Sequence, residues 1–212
     1  MYVKEYMTRK IRIVSPEDPI YQAERRMAKY HIHRLPVVDA KKNLVGMITR
    51  SDILAALPSI ADLTTTPQQK VHIVENPVSL IMQRDVVSVA PDDRITQVAR
   101  LMAEKKIGGV PVLKKGKIVG ILTSSDVYKA LIQVLGVTGK QARHIYDYDQ
   151  GNDTIRRALD ELDQKGLTVQ SIVTFRTKSD KKRKMMVWAV ERTKKPPATR
   201  KSSRRAAVIS VE

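Results

Sequence analysis

Apolar positions along the chain follow two alternating rhythms. Ile20, Ala23 and Met27 recur at helical spacing, and so do Ile95, Val98, Leu101 and Met102, so each set predicts an amphipathic helix with one apolar stripe. After each helix come two short apolar runs around a polar turn. LPVVD and LVGMI flank AKKN, while VPVL and IVGIL flank KKGK. Runs rich in Val and Ile on either side of such a turn predict a β-hairpin. Before each helix, Ile11 to Val14 and Val86 to Val89 read as short strands ending at a Pro-acid pair that is expected to start the helix. A last helix is expected at Thr49 and at Thr123, where a hydroxyl can cap unpaired backbone N–H groups.

The two halves of this pattern are copies. Met7, Pro16, Met27 and Pro36 match Met82, Pro91, Met102 and Pro111 at one offset of 75. One residue is missing from the second hairpin, so Gly46, Thr49 and Asp52 match Gly120, Thr123 and Asp126 at an offset of 74. Each copy therefore reads β-α-β-β-α. Beyond them, ALIQVLGVTGK extends the last helix to a break at Gly136 and Gly139. A further strand (ARHIYDYD), an amphipathic helix stopping at Gly166 and two more strands (LTVQSIVTFRT, KMMVWAVE) follow.

The h-P-V-h-x and G-h-h-T-x-x-D signatures, present in both copies, resemble the CBS domain, and the tandem resembles a Bateman module. The third segment is similar to an ACT domain, although its turn reads Asp149-Gln150-Gly151-Asn152 without the proline common there. The layout, the opening MYVKEYMTRK and the phrases HIHRLPVVD, GMITRSDI and GILTSSDV resemble the acetoin-utilisation accessory (AcuB-like) family. The fold class expected is α/β (α+β). CBS repeats at 1–60 and 78–138 are joined by a linker at 61–77, then come an ACT-like βαββ domain at 141–192 and a flexible basic tail at 193–212. The resemblance also implies a homodimer, since both domain types self-associate.

In such repeats the hydroxyl and the carboxylate three residues on share one helix face. By resemblance, Thr49 with Asp52 and Thr123 with Asp126 would hold a nucleotide: the carboxylate the ribose, the hydroxyl and helix N-terminus the phosphate. Backbone groups before h-P-V would meet the adenine: His33, Arg34 and Leu35 in the first copy, Gly108, Gly109 and Val110 in the second. Arg50 and Ser124 follow the two threonines, and arginine forks suit phosphate oxygens. The implied ligand is an adenine nucleotide (AMP, ADP or ATP), with no metal required. The bland alternative is that Thr only caps the helix and Asp is only a dipole partner in its first turn.

Composition narrows the remaining classes. The chain has 212 residues, 42% hydrophobic and 4% aromatic, which supports a core of aliphatic residues and Met. It has no Cys, so thiol nucleophiles, disulfides and Cys-based zinc sites are excluded. His31 and His33 form an H-x-H pair with no third ligand close in sequence. There is no Walker loop, and no His is positioned to serve Ser124 or Ser125 as a base, so no catalytic residue is expected. Without a secretory core or a spanning apolar run, a cytoplasmic protein away from membranes is expected. The net charge is +17, with a pI near 10.1. From Arg192 onward seven basic residues meet one acid. That tail reads as a solvated end, or as a contact to nucleic acid through counterion release. A regulated protein partner is the remaining expectation.

Overall fold

The computed structural model describes residues 1–57, 73–136, 142–148, 152–177 and 182–191. Most of the inter-repeat linker, the Asp149–Gly151 turn and the basic tail lie outside the described residues. The chain divides into two units, Met1–Leu131 and Ile132–Glu212.

In the first unit the two copies build matching elements. A short helix α1 (Val3–Tyr6) precedes α2 (Ile20–Tyr30), the hairpin β1 (Arg34–Val38) with β2 (Leu44–Thr49), and α3 (Arg50–Ala56). The second copy opens with a 3₁₀ turn at Val78–Leu80, then α4 (Ile95–Glu104), β3 (Gly109–Lys114) with β4 (Lys117–Thr123), and α5 (Ser124–Leu135). The helical stripes are core: Ile20, Ala23 and Met27, like Ile95, Val98 and Met102, are buried. Each hairpin pairs antiparallel with one bulge, after Val37 and after Val112. The second turn is a two-residue one, Lys115–Gly116, with both φ angles positive (50° and 75°), the conformation that matches strand twist.

Two sequence expectations are corrected. The strands at Ile11–Val14 and Val86–Val89 shrink to single parallel bridges, Val14 to Val37 and Val89 to Val112. The Val14 N–H donates to the Pro36 carbonyl (3.1 Å), and Val38 donates to Val14 (2.9 Å). The next donor in such a ladder would be Pro16 or Pro91, which has no N–H. The Pro-acid pairs also do not start the helices. Instead Asp18 accepts from the Ser15 N–H (3.1 Å) and Asp93 from the Ala90 N–H (2.7 Å), closing a turn before each helix.

Each copy completes its core with the other's opening segment. Val3 and Met7 are buried with Val98, Val110 and Leu122 of the second copy. Val78 and Met82 are buried with Ala23, Leu35 and Ile48 of the first. The backbone repeats the exchange: Thr8 bridges Ile121, and Gln83 bridges Met47. Glycine makes the approach possible, because a Cβ on Gly120 would lie 2.5 Å from Met7 Sδ, and one on Gly46 would lie 2.6 Å from Met82 Sδ.

The second unit holds β5 (Ala142–Asp147), α6 (Asn152–Gln164), β6 (Leu167–Arg176) and β7 (Arg183–Glu191). They form an antiparallel sheet in the order β5-β7-β6, so the expected β-α-β-β succession is present. Ala158 and Leu162 of α6 pack on Met185, Val187 and Ala189 of β7. Gly166 stops the helix with φ of 68°. Among the described residues no helix is long and apolar enough to cross a membrane.

Candidate functional site

The two G-h-h-T-x-x-D elements fold alike. Thr49 is the N-cap of α3. Its N–H and its hydroxyl both donate to Asp52 Oδ2 (2.7 Å each), and its Oγ1 accepts from the Asp52 N–H at 3.3 Å. At α5 the Thr123 N–H (3.0 Å) and hydroxyl (2.7 Å) donate to Asp126 Oδ2. One oxygen of each carboxylate is thus committed to the cap, so each Asp is more than a dipole partner of its helix. The other oxygen distinguishes the copies. Asp52 Oδ1 accepts from the Gln83 side chain (3.2 Å), whereas Asp126 Oδ1 faces Lys129 Nζ at 3.4 Å. Asp126 is 5% exposed, so it is a buried carboxylate beside a largely exposed cation.

Asp126 borders a cleft of about 370 Å³ between the two copies, a size suited to a small ligand. The second copy supplies Gly108, Thr123, Ser124 and Asp126. The first copy supplies His31, His33 and Arg34, and its opening stretch adds Lys10 and Arg12. The Arg34 side chain therefore reaches across the copies, although its backbone pairs with Thr49 in the first hairpin. Its Nη1 donates to the Gly109 carbonyl at 3.3 Å, and a Cβ on Gly108 would sit 2.6 Å from its Nη2. The room left by the two glycines is filled by this guanidinium. Arg34 is half-buried, burial lowers its pKa, and no carboxylate pairs with it among the described residues. A half-buried cation of this kind is stabilised by an incoming anion.

The other expected residues are placed as follows. Leu35 and Val110 are fully buried, so their side chains are core and only their backbone is available to a ligand. The carbonyls of His33 and Gly108 accept the first N–H groups of α3 and α5, from Arg50 (2.9 Å) and Ser124 (3.2 Å), tying each hairpin to its helix. Arg50 lies apart from the 370 Å³ cleft. With His31, His33 and Leu54 it borders a separate pocket of about 340 Å³ beside α2 and α3. His31 ends α2 in the left-handed conformation (φ 52°), its N–H donating to Ala28. Among the described residues no group of three or more His, Cys, Asp or Glu could hold a metal ion.

Lys10, Arg12 and Lys129 are cleft residues that the motif reading passed over. Their signal is broken repeat symmetry: the matching positions are Asp85, Val87 and Ala55. These three cations add positive charge to the cleft that carries Asp126.

The CBS domain family matches residues 3–59 and 78–133, more than half of the chain. A crystal structure of a Vibrio cholerae protein assigned to acetoin utilization (AcuB) aligns at 32% identity and a TM-score of 0.55, over 64% of this chain and 93% of that one. CBSX2, crystallised in complex with AMP, aligns at 26% identity and 0.53, over 63% and 97%. The CBS domain pair of protein MJ0100, crystallised with 5′-methylthioadenosine and S-adenosyl-L-methionine, aligns at 29% and 0.50, over 62% and 95%.

Proposed function

Since this chain belongs to the CBS-domain family, we propose that its repeat pair is a non-catalytic regulatory module that binds an adenine nucleotide in the cleft beside Asp126. The observation that carries the reading is a cleft lined both by the half-buried guanidinium of Arg34, which has no carboxylate partner among the described residues, and by the buried carboxylate of Asp126. A nucleotide has the complementary ends. Its ribose diol donates to Asp126 Oδ1, the oxygen not committed to the cap. Its phosphate takes Arg34, Lys10 and Arg12, with Lys129 next to the carboxylate. The N-terminus of α5, with Ser124, adds the partial positive charge of the helix end. The AMP complex of CBSX2 and the S-adenosyl-L-methionine complex of the MJ0100 CBS domain pair support an adenine compound as the ligand class.

The ligand bridges residues of both copies, so it favours one packing of the pair. That preference passes to a partner through the second unit, whose ACT-like element order suits self-pairing in a homodimer. Thermal unfolding against AMP, ADP, ATP and S-adenosylmethionine tests the reading. One adenine compound raises the midpoint with concentration, because it binds only the folded protein. A protein stripped of carried-over ligand whose midpoint ignores the whole panel would refute it.

A further inference from the structure

The outer face of α2 holds a second groove, which shares only Ile11 and Arg12 with the lining of the nucleotide cleft. It has a volume of about 580 Å³ and lies between α2 and the stretch at Ile11–Ile13. Four cations line it, Arg12, Arg25, Arg26 and Lys29, together with Tyr21 and Tyr30. No acidic side chain is among its lining residues. Tyr21 is 42% exposed and Tyr30 36%, an unusual allotment in a chain with so few aromatic residues. The Arg12 guanidinium lies over the Tyr30 ring, 3.9 Å from its centroid, and Lys29 approaches the same ring at 5.6 Å. Arg26 is held by the Ile13 carbonyl (2.6 Å) and by Asp18 (3.4 Å). No ion pair is formed by Arg12, Arg25 or Lys29 among the described residues.

We propose that this groove binds single-stranded nucleic acid. Unpaired cations along one helix face answer a phosphate backbone, and exposed rings answer unstacked bases. A guanidinium stacked on tyrosine presents its second face to a base, and Tyr21 offers a ring of its own. A solvated basic helix would need neither the rings nor the groove. An anionic membrane would use the charge but has no planar group for Tyr30 and Arg12. A duplex keeps its bases stacked and out of reach.

The test is fluorescence anisotropy of a labelled, adenine-rich single-stranded RNA of about 12 nucleotides, titrated with the full chain between about 50 and 200 mM salt. The substitutions avoid Arg12, which also borders the nucleotide cleft. Tyr21→Ala and Tyr30→Ala each weaken binding at least about fivefold, the loss of one stacked base, with the salt dependence unchanged. Arg25→Ala flattens the slope of log affinity against log salt by about 0.7, the loss of one single-strand phosphate contact. Thermal midpoints identify any misfolded variant, and Arg25→Ala, on the exposed face, reads the groove without touching the core. Binding that ignores all three substitutions lies elsewhere on the chain and overturns the proposal, as does the absence of any RNA binding. So does equal affinity for a duplex of the same sequence, or capture by anionic phospholipid vesicles with no RNA binding.

Discussion

Replacing Asp126 and Asp52 by alanine, one at a time, separates a ligand contact from a helix cap. Both carboxylates accept the N–H and the hydroxyl of the preceding threonine through one oxygen, at 2.7–3.0 Å. Loss of such a cap costs about 1 kcal/mol. Both variants should therefore unfold about 2–4 °C below the parent, a shift typical of that loss in a chain of this size. Affinity should split them. In Asp52→Ala the second oxygen lost was bonded to Gln83, so nucleotide binding at the Asp126 cleft stays within about twofold. In Asp126→Ala the ribose loses its charged acceptor, worth about 1.5–3 kcal/mol, so calorimetry reads a Kd weakened about 10- to 150-fold. Equal midpoints with unchanged affinity in both variants would reduce Asp126 to a cap and refute the ribose contact.

Other expectations follow from the same geometry. Arg34→Met removes a half-buried, unpaired cation, so the ligand-free protein is as stable as the parent or more so, while AMP affinity falls at least about tenfold and adenosine affinity changes little in parallel titrations. Gly46→Ala and Gly120→Ala each force a methyl group onto a methionine of the exchanged segment. Denaturant unfolding should show a loss of about 1–3 kcal/mol, larger at Gly46, where the Gln83 carbonyl also stands 3.0 Å away. Asp39 accepts the N–H (2.7 Å) and side-chain amide (2.9 Å) of Asn43, which holds its carboxyl below the usual range. That contribution is complete above the unfolded pKa of about 3.9 and is lost as pH falls through the lower folded value. Asp39→Asn should therefore flatten the dependence of the melting midpoint on pH below about 4, and an unaltered slope would refute the assignment.

The repeat was legible because both copies keep the same apolar positions, and buried side chains tolerate little change. Met27 with Met102, and Pro36 with Pro111, are the same structural residue twice. The cap at Thr49 was legible from its place before an apolar-periodic run, and the carboxylate of Asp52 that completes it was read only as a dipole partner or ligand group. The reach of Arg34 was not, since no local pattern says that a side chain of one hairpin will lie on the glycines of the other. Nor could the short strands be foreseen as single bridges, because apolar runs at Ile11–Val14 and Val86–Val89 satisfy a strand pattern whether or not a ladder continues. The charged side of the cleft was written in the sequence as departures from symmetry, at Lys10, Arg12 and Lys129, where a search for agreement between copies does not look.

The exchange of opening segments also fixes the order in which the protein can be born. During synthesis Val3 and Met7 emerge more than a hundred residues ahead of Leu122, which belongs to the surface that buries them. The first hairpin likewise waits for Val78 and Met82 before its own core closes. The first repeat cannot reach its final packing during its own synthesis, so Val3 and Met7 stay exposed until nearly all of the repeat pair has been made. Contacts that span so much of the chain slow folding and leave apolar surface open meanwhile.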